Sequence, residues 1–301
     1  MSSPVYQHPD VARLISSALD EDLRAIGDLT CQALVPPTAR LQATVTAKAP
    51  GVVCAVELFA QTLAQLHQRG LGTVTIEHSL PDGAVVAVGD VVWRAQGDAN
   101  ALLQGERTAL NLVQRLSGTS TLTRRYVEAV RGTRAGIFDT RKTTPGMRLL
   151  QKLAVTSGGG RNHRIGLYDQ VLIKENHLAL MGGARTASPA AEAVARCRAQ
   201  LGGSCLIEVE IERLEDLEPV ILSGADIVLL DNLGGEVLAE AVRRRDRVLR
   251  PGMRLVELEA SGGITLESVR PVALSGVERI STGELTHSVR ALDLSMRCHP
   301  L

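Results

Sequence analysis

The chain predicts an α/β fold whose larger part is an incomplete barrel of six or seven parallel strands, and three observations carry that reading. From Ala135 onward, short apolar runs alternate with helical segments. The runs are continuously apolar, as strands covered on both faces are, instead of alternating. Each of the six clear runs also ends in residues that are costly to bury without partners. An open doubly wound sheet is the alternative on the same pattern.

The N-terminal part is written differently. Within residues 8–34, VARLISSALDEDL places apolar side chains three and four apart, the spacing of a helix that buries one face. Strands follow in LQATVTAKA, GVVCAVE, GTVTIEHSL and AVVAVGDVVWRAQG. Val and Thr suit a pleated surface, and Pro-Gly, Pro-Asp-Gly and Gly-Asp supply tight turns between antiparallel partners. After Asn100, ALLQGERTALNLVQRLSGTSTLTRRYVEAVRG is helical, with a break expected at Ser117-Gly118. The domain boundary is placed there, giving an N-terminal domain over 1–116 and a barrel over 117–285. Barrel strands are expected in AGIFDT, VLIKE, CLIEVEIE, ADIVLLDN, RLVELEASG and VERISTG. Helices are expected in PAAEAVARCRAQLG, RLEDLEPVILSG and GEVLAEAVRRRDRVL, and a last helix over 286–301 is expected to pack on the N-terminal domain.

Composition excludes several classes of function. The chain has 301 residues, 45% hydrophobic and 22% charged, enough to bury a sizeable core. Lys plus Arg and Asp plus Glu both total 33, so no overall field draws it to nucleic acid or to a membrane surface. Aromatic residues are 2%, which leaves few platforms for stacking bases. No apolar stretch reaches the length of a membrane span, and MSSPVYQHPDVARL lacks the pattern of a secretory leader, so the cytoplasm is expected. The five cysteines form no C-x-x-C pair and read as reduced, buried thiols.

In a barrel the chemistry gathers at the C-terminal ends of the strands. Here those ends carry Asp139 with Arg141 and Lys142, then Lys174 and Glu175, Glu208 and Glu210, Asp231 and Asn232, Glu259 with Ser261-Gly262-Gly263, and Ser281-Thr282-Gly283. Charge also separates by region: Arg141 to Glu175 holds seven cations against two anions, while the later strands supply the carboxylates. Such a rim suits a polyanionic substrate carrying a divalent metal, with cations for carboxylates and phosphates and acids for hydroxyls or metal-bound water. The two Gly turns offer backbone N–H groups to a phosphate. Taken alone, Arg141 and Lys142 read first as a solvated turn, and Lys174 has a rival reading as a Schiff-base lysine. Residues two apart share a strand face, so Glu208 is read as turned away from Glu210 or paired with a neighbour.

The motifs DTRKTTPGMRLLQK, GGGRNHRIGLYDQVLIKENH, IEVE, DIVLLDN, EASGGI and ISTGELTHS, in this order and spacing, resemble those of the quinolinate phosphoribosyltransferases. EDLRAIGDLT and GERTALNLVQRLSG extend the resemblance over nearly the whole chain. It implies an N-terminal α/β sandwich joined to the incomplete barrel, a homodimer, and Mg2+ as cofactor. The implied reaction joins quinolinate to phosphoribosyl pyrophosphate and yields nicotinate mononucleotide, pyrophosphate and CO2. By motif, Thr140, Arg141, Lys142, His163, Arg164 and Lys174 would line the quinolinate and pyrophosphate region. Glu210 and Asp231 would face the ribose hydroxyls and the metal, directly or through water. Ser261, Gly262, Gly263, Ser281, Thr282 and Gly283 would hold the 5-phosphate with His287 beside them, and Arg107 would enter from the neighbouring subunit. Lys142, Lys174, Glu210 and Asp231 are the expected catalytic groups, and His163 is expected to bind substrate and not to exchange protons.

Two positions depart from the family pattern. Leu153 stands where a tyrosine is expected and Ala55 where a glycine is, and both read as packing positions. The alternative function is that of relatives associated with molybdate uptake, which would keep the fold and take another ligand or only bind. The retained set Arg107, Arg141 and Arg164 favours the dicarboxylate enzyme.

Overall fold

The structure is a computed structural model that describes residues 3–181 and 188–301. Along the chain, α1 (Pro9–Leu23) buries Val11, Ile15, Leu19 and Leu23 at the four-residue spacing of one helix face. Asp28 caps α2 (Leu29–Leu34). Strand β1 (Arg40–Ala47) is followed by β2 (Gly51–Val52), α3 (Glu57–Gln68), β3 (Val74–Ser79), β4 (Val85–Val86) and β5 (Val91–Asp98). The long helix α4 (Ala99–Ala129) leads to β6 (Gly136–Phe138) and α5 (Arg148–Ser157). Next come β7 (Val171–Ile173), α6 (Glu175–Leu180), α7 (Pro189–Leu201), β8 (Ile207–Ile211), α8 (Leu217–Leu222), β9 (Ile227–Asp231) and α9 (Gly235–Val248). The chain closes with β10 (Glu257–Ser261), α10 (Val269–Leu274), β11 (Arg279–Ser281), α11 (Glu284–His287) and β12 (Leu294–Pro300).

Two compact units emerge. The first comprises 1–124, 143–159 and 285–301; the second comprises 125–142 and 160–284. In the first, a four-stranded sheet runs in the order β12-β1-β5-β3 with antiparallel pairs. Ala43, Val45 and Ala47 alternate inward along β1 and join a core with Ile15, Leu19, Phe59, Leu66 and Trp93, in which the Phe59 and Trp93 rings stack at 4.8 Å.

Two expectations for this unit are corrected. Residues 286–301 do not form a helix: β12 pairs with β1 from Leu294 to Pro300, where Leu294 joins the core and Met296 and Cys298, on the same face, pack against it. The expected break at Ser117-Gly118 is also absent, and α4 runs through it. Gly118 is there for close approach, since a Cβ would lie 2.3 Å from the Arg290 carbonyl oxygen. The Ser117 hydroxyl bonds the Cys54 backbone at both its N–H and its carbonyl. GVVCAVE is strand only at Gly51–Val52, after which the chain turns into α3.

In the second unit six parallel strands follow the order β6-β11-β10-β9-β8-β7. Helices connect successive strands from β7 to β11, and the first strand β6 returns beside the last, which is barrel order. The ring stays open between β6 and β7, where among the described residues only a parallel bridge from Phe138 to Arg161 extends the β6 edge. The six strands expected from sequence are the six observed, and there is no seventh among the described residues.

Register decides which side chains face inward. Glu210 pairs with Leu229, Leu229 with Glu259, and Glu259 with Arg279, so these residues form one layer of the interior. Asp231 pairs with Ser261 one layer nearer the C-terminal ends. Ile207, Val209 and Ile211, all buried, occupy the opposite face of β8.

Candidate active site

Each strand of the second unit delivers a polar group as it ends. Phe138 leads into Asp139, which is fully buried and accepts the His163 backbone N–H at 2.8 Å. That bond ties the loop 160–170 to the end of β6. The same loop is closed on itself by Asp169, whose carboxylate accepts the N–H groups of Ile165 (2.7 Å) and Gly166 (2.9 Å). Thr140 accepts the Lys142 N–H at 3.1 Å, shaping the turn that carries Arg141 and Lys142.

Arg141 and Arg164 are brought together. The Arg164 guanidinium has its pKa drawn below the ordinary value, first by burial and then by the positive charge of Arg141. Arg164 Nη1 also donates to the Gln170 carbonyl at 3.3 Å. Glu208 and Asp169 oppose that effect, and two neighbouring guanidiniums partly removed from water favour an anion placed beside them.

On the acidic side, the Lys174 ammonium donates to the Glu210 carboxylate from the adjacent strand. Lys174 is fixed through its backbone, since its N–H donates to His177 Nδ1 at 3.0 Å at the start of α6. The Glu210 pKa is raised, first by burial and further by Asp231, against the lowering effect of Lys174. Glu210 and Asp231 therefore form a carboxylate pair whose repulsion Lys174 counters, and burial is what keeps the Glu210 pKa raised. The hydrogen bonding of Asn232 to Asp231, at 2.6 Å, completes this end of β9.

The Gly turns are constrained by close approach. Gly262 has φ +95° and a Cβ there would lie 2.2 Å from Asn232 Oδ1, while Gly263 has φ +57° with open space around it. Asn232 itself sits at φ 55°, with its N–H on the Ser261 carbonyl at 3.0 Å. At the end of β11, Thr282 gives its N–H to the Phe138 carbonyl (3.1 Å) and its hydroxyl to the Ile264 carbonyl (3.0 Å), so it locks the turn in place. Ser281 is buried beside it.

Of the residues expected at the site, Thr140, Arg141, Lys142, His163, Arg164, Lys174, Glu210, Asp231, Ser261, Gly262, Gly263, Ser281, Thr282 and Gly283 belong to the second unit. Arg107, exposed on α4, and His287, exposed at the end of α11 with Ser288 Oγ at 2.6 Å from its Nδ1, belong to the first. Gln170 and Arg279 went unselected by sequence reasoning, and Glu208 and Glu259 were singled out there only as strand-end residues, without a role. Glu208 does not turn away from Glu210; it shares the interior face, fully buried, and the Gln170 side chain donates to it at 2.6 Å. For Glu208 and Glu259 the signal was charge at period two inside apolar runs, which a strand can bury only when it is paired; Gln170 and Arg279 carried no such signal.

The chain matches the family models described as quinolinate phosphoribosyl transferase, N-terminal domain, over residues 28–117 and C-terminal domain over residues 119–297. It is 41% identical over 288 residues to the nicotinate-nucleotide pyrophosphorylase (carboxylating) of Mycobacterium leprae, covering 95% of this chain and 97% of that one. It is 39% identical over 289 residues to the probable enzyme of the same name from Bacillus subtilis, covering 96% and 93%. The crystal structure of NadC from Streptococcus pyogenes superposes with a TM-score of 0.87 at 32% identity, covering 100% of this chain and 99% of that one. The nicotinate-nucleotide pyrophosphorylase of Francisella tularensis gives 0.85 at 35% identity, covering 99% and 98%. The chain belongs to the quinolinate phosphoribosyl transferase family.

Proposed function

We propose that this protein transfers the phosphoribosyl group of phosphoribosyl pyrophosphate to quinolinate with loss of CO2, forming nicotinate mononucleotide and pyrophosphate for NAD biosynthesis. The observation that carries this reading is the half-buried pairing of Arg141 with Arg164, a dicationic seat in the same unit as the Lys174–Glu210–Asp231 cluster. Quinolinate brings two adjacent carboxylates, and planar guanidiniums grip carboxylates bidentately, which would set the ring nitrogen against the sugar. The reading of a molybdate-associated relative draws no support from the relatives quoted above, which are named for the carboxylating pyrophosphorylase.

Bond making at the anomeric carbon leaves positive charge on the sugar and negative charge on the departing pyrophosphate. Lys142 and Lys174 can stabilise the latter electrostatically without exchanging protons, and Glu210 and Asp231 can hold the ribose hydroxyls. Once joined to the sugar, the ring nitrogen is cationic and stabilises the carbanion left on the adjacent ring carbon as CO2 departs, and that carbon then takes up a proton from solvent. The residues then have only to hold charge balance.

Mg2+ fits the donor set, because Glu210 and Asp231 offer hard carboxylate oxygens on neighbouring strands whose mutual repulsion a cation relieves. When bound, it would neutralise phosphate oxygens of the substrate. We also propose a homodimer in which Arg107 of each subunit completes its neighbour's site, working in the cytoplasm. Supporting this, Arg107 is exposed and neighbours Glu106, whose pKa burial raises and Arg107 lowers.

Carboxyl-labelled quinolinate tests the activity. Release of labelled CO2 that requires phosphoribosyl pyrophosphate is expected; release without it, or none in its presence, would overturn the assignment.

A further inference from the structure

A buried ionic cluster lies inside the second unit and takes no part in the steps above. Glu208 and Glu259 are fully buried, and His163 and Arg279 are each 8% exposed. Arg279 Nε donates to Glu259 at 2.6 Å and Nη1 to Glu257 at 3.2 Å, while the guanidinium stacks 3.8 Å above the Phe138 ring. His163 Nε2 lies 2.9 Å from Glu208 Oε2 and 3.5 Å from Glu259. One oxygen of each carboxylate, Glu208 Oε1 and Glu259 Oε1, is buried without a hydrogen-bond donor.

His163, Glu208 and Glu259 present three ligand atoms within 4.8 Å of one another, which resembles a metal site. The imidazole argues against it. His163 Nδ1 accepts the Arg164 backbone N–H at 2.7 Å, so Nδ1 carries no proton and the neutral ring must carry its proton on Nε2. A protonated Nε2 cannot ligate a metal; it donates to Glu208. Burial pulls the His163 pKa down and the two carboxylates pull it up, the upward pull being the larger. A second proton, however, would have to sit on Nδ1 facing the Arg164 N–H, so the hydrogen bonds hold the ring neutral.

The cluster has a simple geometry. The same Glu208 oxygen, Oε2, receives His163 Nε2–H and, at 2.6 Å, the Gln170 side-chain amide. Both of those residues hold Arg164: His163 Nδ1 accepts its backbone N–H, and the Gln170 backbone carbonyl accepts its guanidinium.

We propose that Glu208 is a positioning residue for substrate recognition, a single buried carboxylate that organises both anchors of Arg164 and so sets its guanidinium beside Arg141. The inference rests on the reading that this arginine pair takes the dicarboxylate. Glu208 touches no substrate; removing it lets His163 and Gln170 turn and uncouples Arg164 from its seat. Glu208→Gln keeps a carbonyl acceptor for both donors and serves as the conservative variant.

Steady-state kinetics of the whole protein, varying each substrate in turn, and 15N NMR of the histidine side chains test the proposal. Outer-shell anchors typically cost 10–100-fold, so Glu208→Ala is expected to raise KM for quinolinate by about 10-fold or more. KM for phosphoribosyl pyrophosphate should stay within about twofold, and Glu208→Gln should recover most of the loss. The wild-type His163 ring should show a protonated Nε2 and an acceptor Nδ1. A Glu208→Ala variant with unchanged quinolinate KM, or with both KM values raised alike, overturns the proposal. So does a wild-type His163 with its proton on Nδ1 or on both nitrogens, a result that does not depend on activity or on any variant folding. Failure of the functional reading shows separately, as wild-type protein that releases no CO2 while the His163 tautomer is as described.

Discussion

Lys174 and Glu210 meet across neighbouring strands β7 and β8, the lysine 42% exposed at its side chain and the glutamate 7%. The pair is therefore poised at the edge of burial, where a cation can serve an arriving anion without leaving its carboxylate. Lys174→Ala removes the positive charge that stabilises the departing pyrophosphate, and kcat is expected to fall by about 100-fold or more, the scale of losing one preorganised electrostatic group. Glu210, 7% exposed, would lose its counter-charge, so a loss of thermal stability is expected alongside. Comparison of kcat with the melting temperature of the variant checks both halves.

Arg107 and Lys174 belong to different units of the chain. If each subunit lends Arg107 to its neighbour, Arg107→Ala and Lys174→Ala inactivate different halves of a composite site. Mixing the two inactive variants and allowing the subunits to exchange should then restore one good site in each mixed dimer. Random pairing in a two-fold dimer recovers about 25% of wild-type activity. Absence of any recovery, with exchange confirmed by mass, removes the arrangement in trans.

The six barrel strands and the strand-end polar residues were legible because each signal is local: an apolar run, a helix-length spacer, a polar end. The buried cluster of Glu208, Glu259 and Arg279 was not. Its members are far apart in sequence, and only the register of β8 through β11 places them on one interior face. Gly118 misled for a related reason. A glycine in a helical pattern reads as a break, whereas here it admits the Arg290 carbonyl against α4, a contact with 171 residues between its partners that no local pattern encodes. At the C-terminus, β12 alternates like a strand but lacks a turn to a neighbouring partner in sequence, since it pairs with β1 at the opposite end of the chain.

Ala55 adds to a narrower expectation. It is a packing position, fully buried in the core, and a conformational one as well, with φ 62° and its N–H held by Asp82 Oδ1 at 2.7 Å. The other Asp82 oxygen accepts the Tyr6 hydroxyl at 2.6 Å, so the strained backbone is over-determined from both sides. Left-handed backbone costs an L-residue about 1–2 kcal/mol, part of which glycine's freedom in the unfolded chain cancels. Ala55→Gly is expected to stabilise the protein by about 0.5–1 kcal/mol, visible as a higher denaturant midpoint at unchanged slope.

Asp28 supplies a stability effect that pH can switch. Its carboxylate caps α2, accepting the N–H groups of Thr30 at 2.8 Å and Cys31 at 3.0 Å. Its pKa is held below the ordinary 3.8, first by the Cys31 thiol and then by the Cys31 and Thr30 amides. A carboxyl whose pKa is depressed on folding stabilises above its unfolded value and loses that contribution as pH falls through the folded one. Asp28→Ala should therefore cost about 1 kcal/mol near neutral pH, the usual worth of an N-cap. The gap from wild type should close as pH falls through the depressed native pKa, where the native carboxylate is protonated too. Urea melts of both proteins at neutral and acid pH would show it, and a gap that stays constant with pH would mean that the cap acts through shape and not through charge.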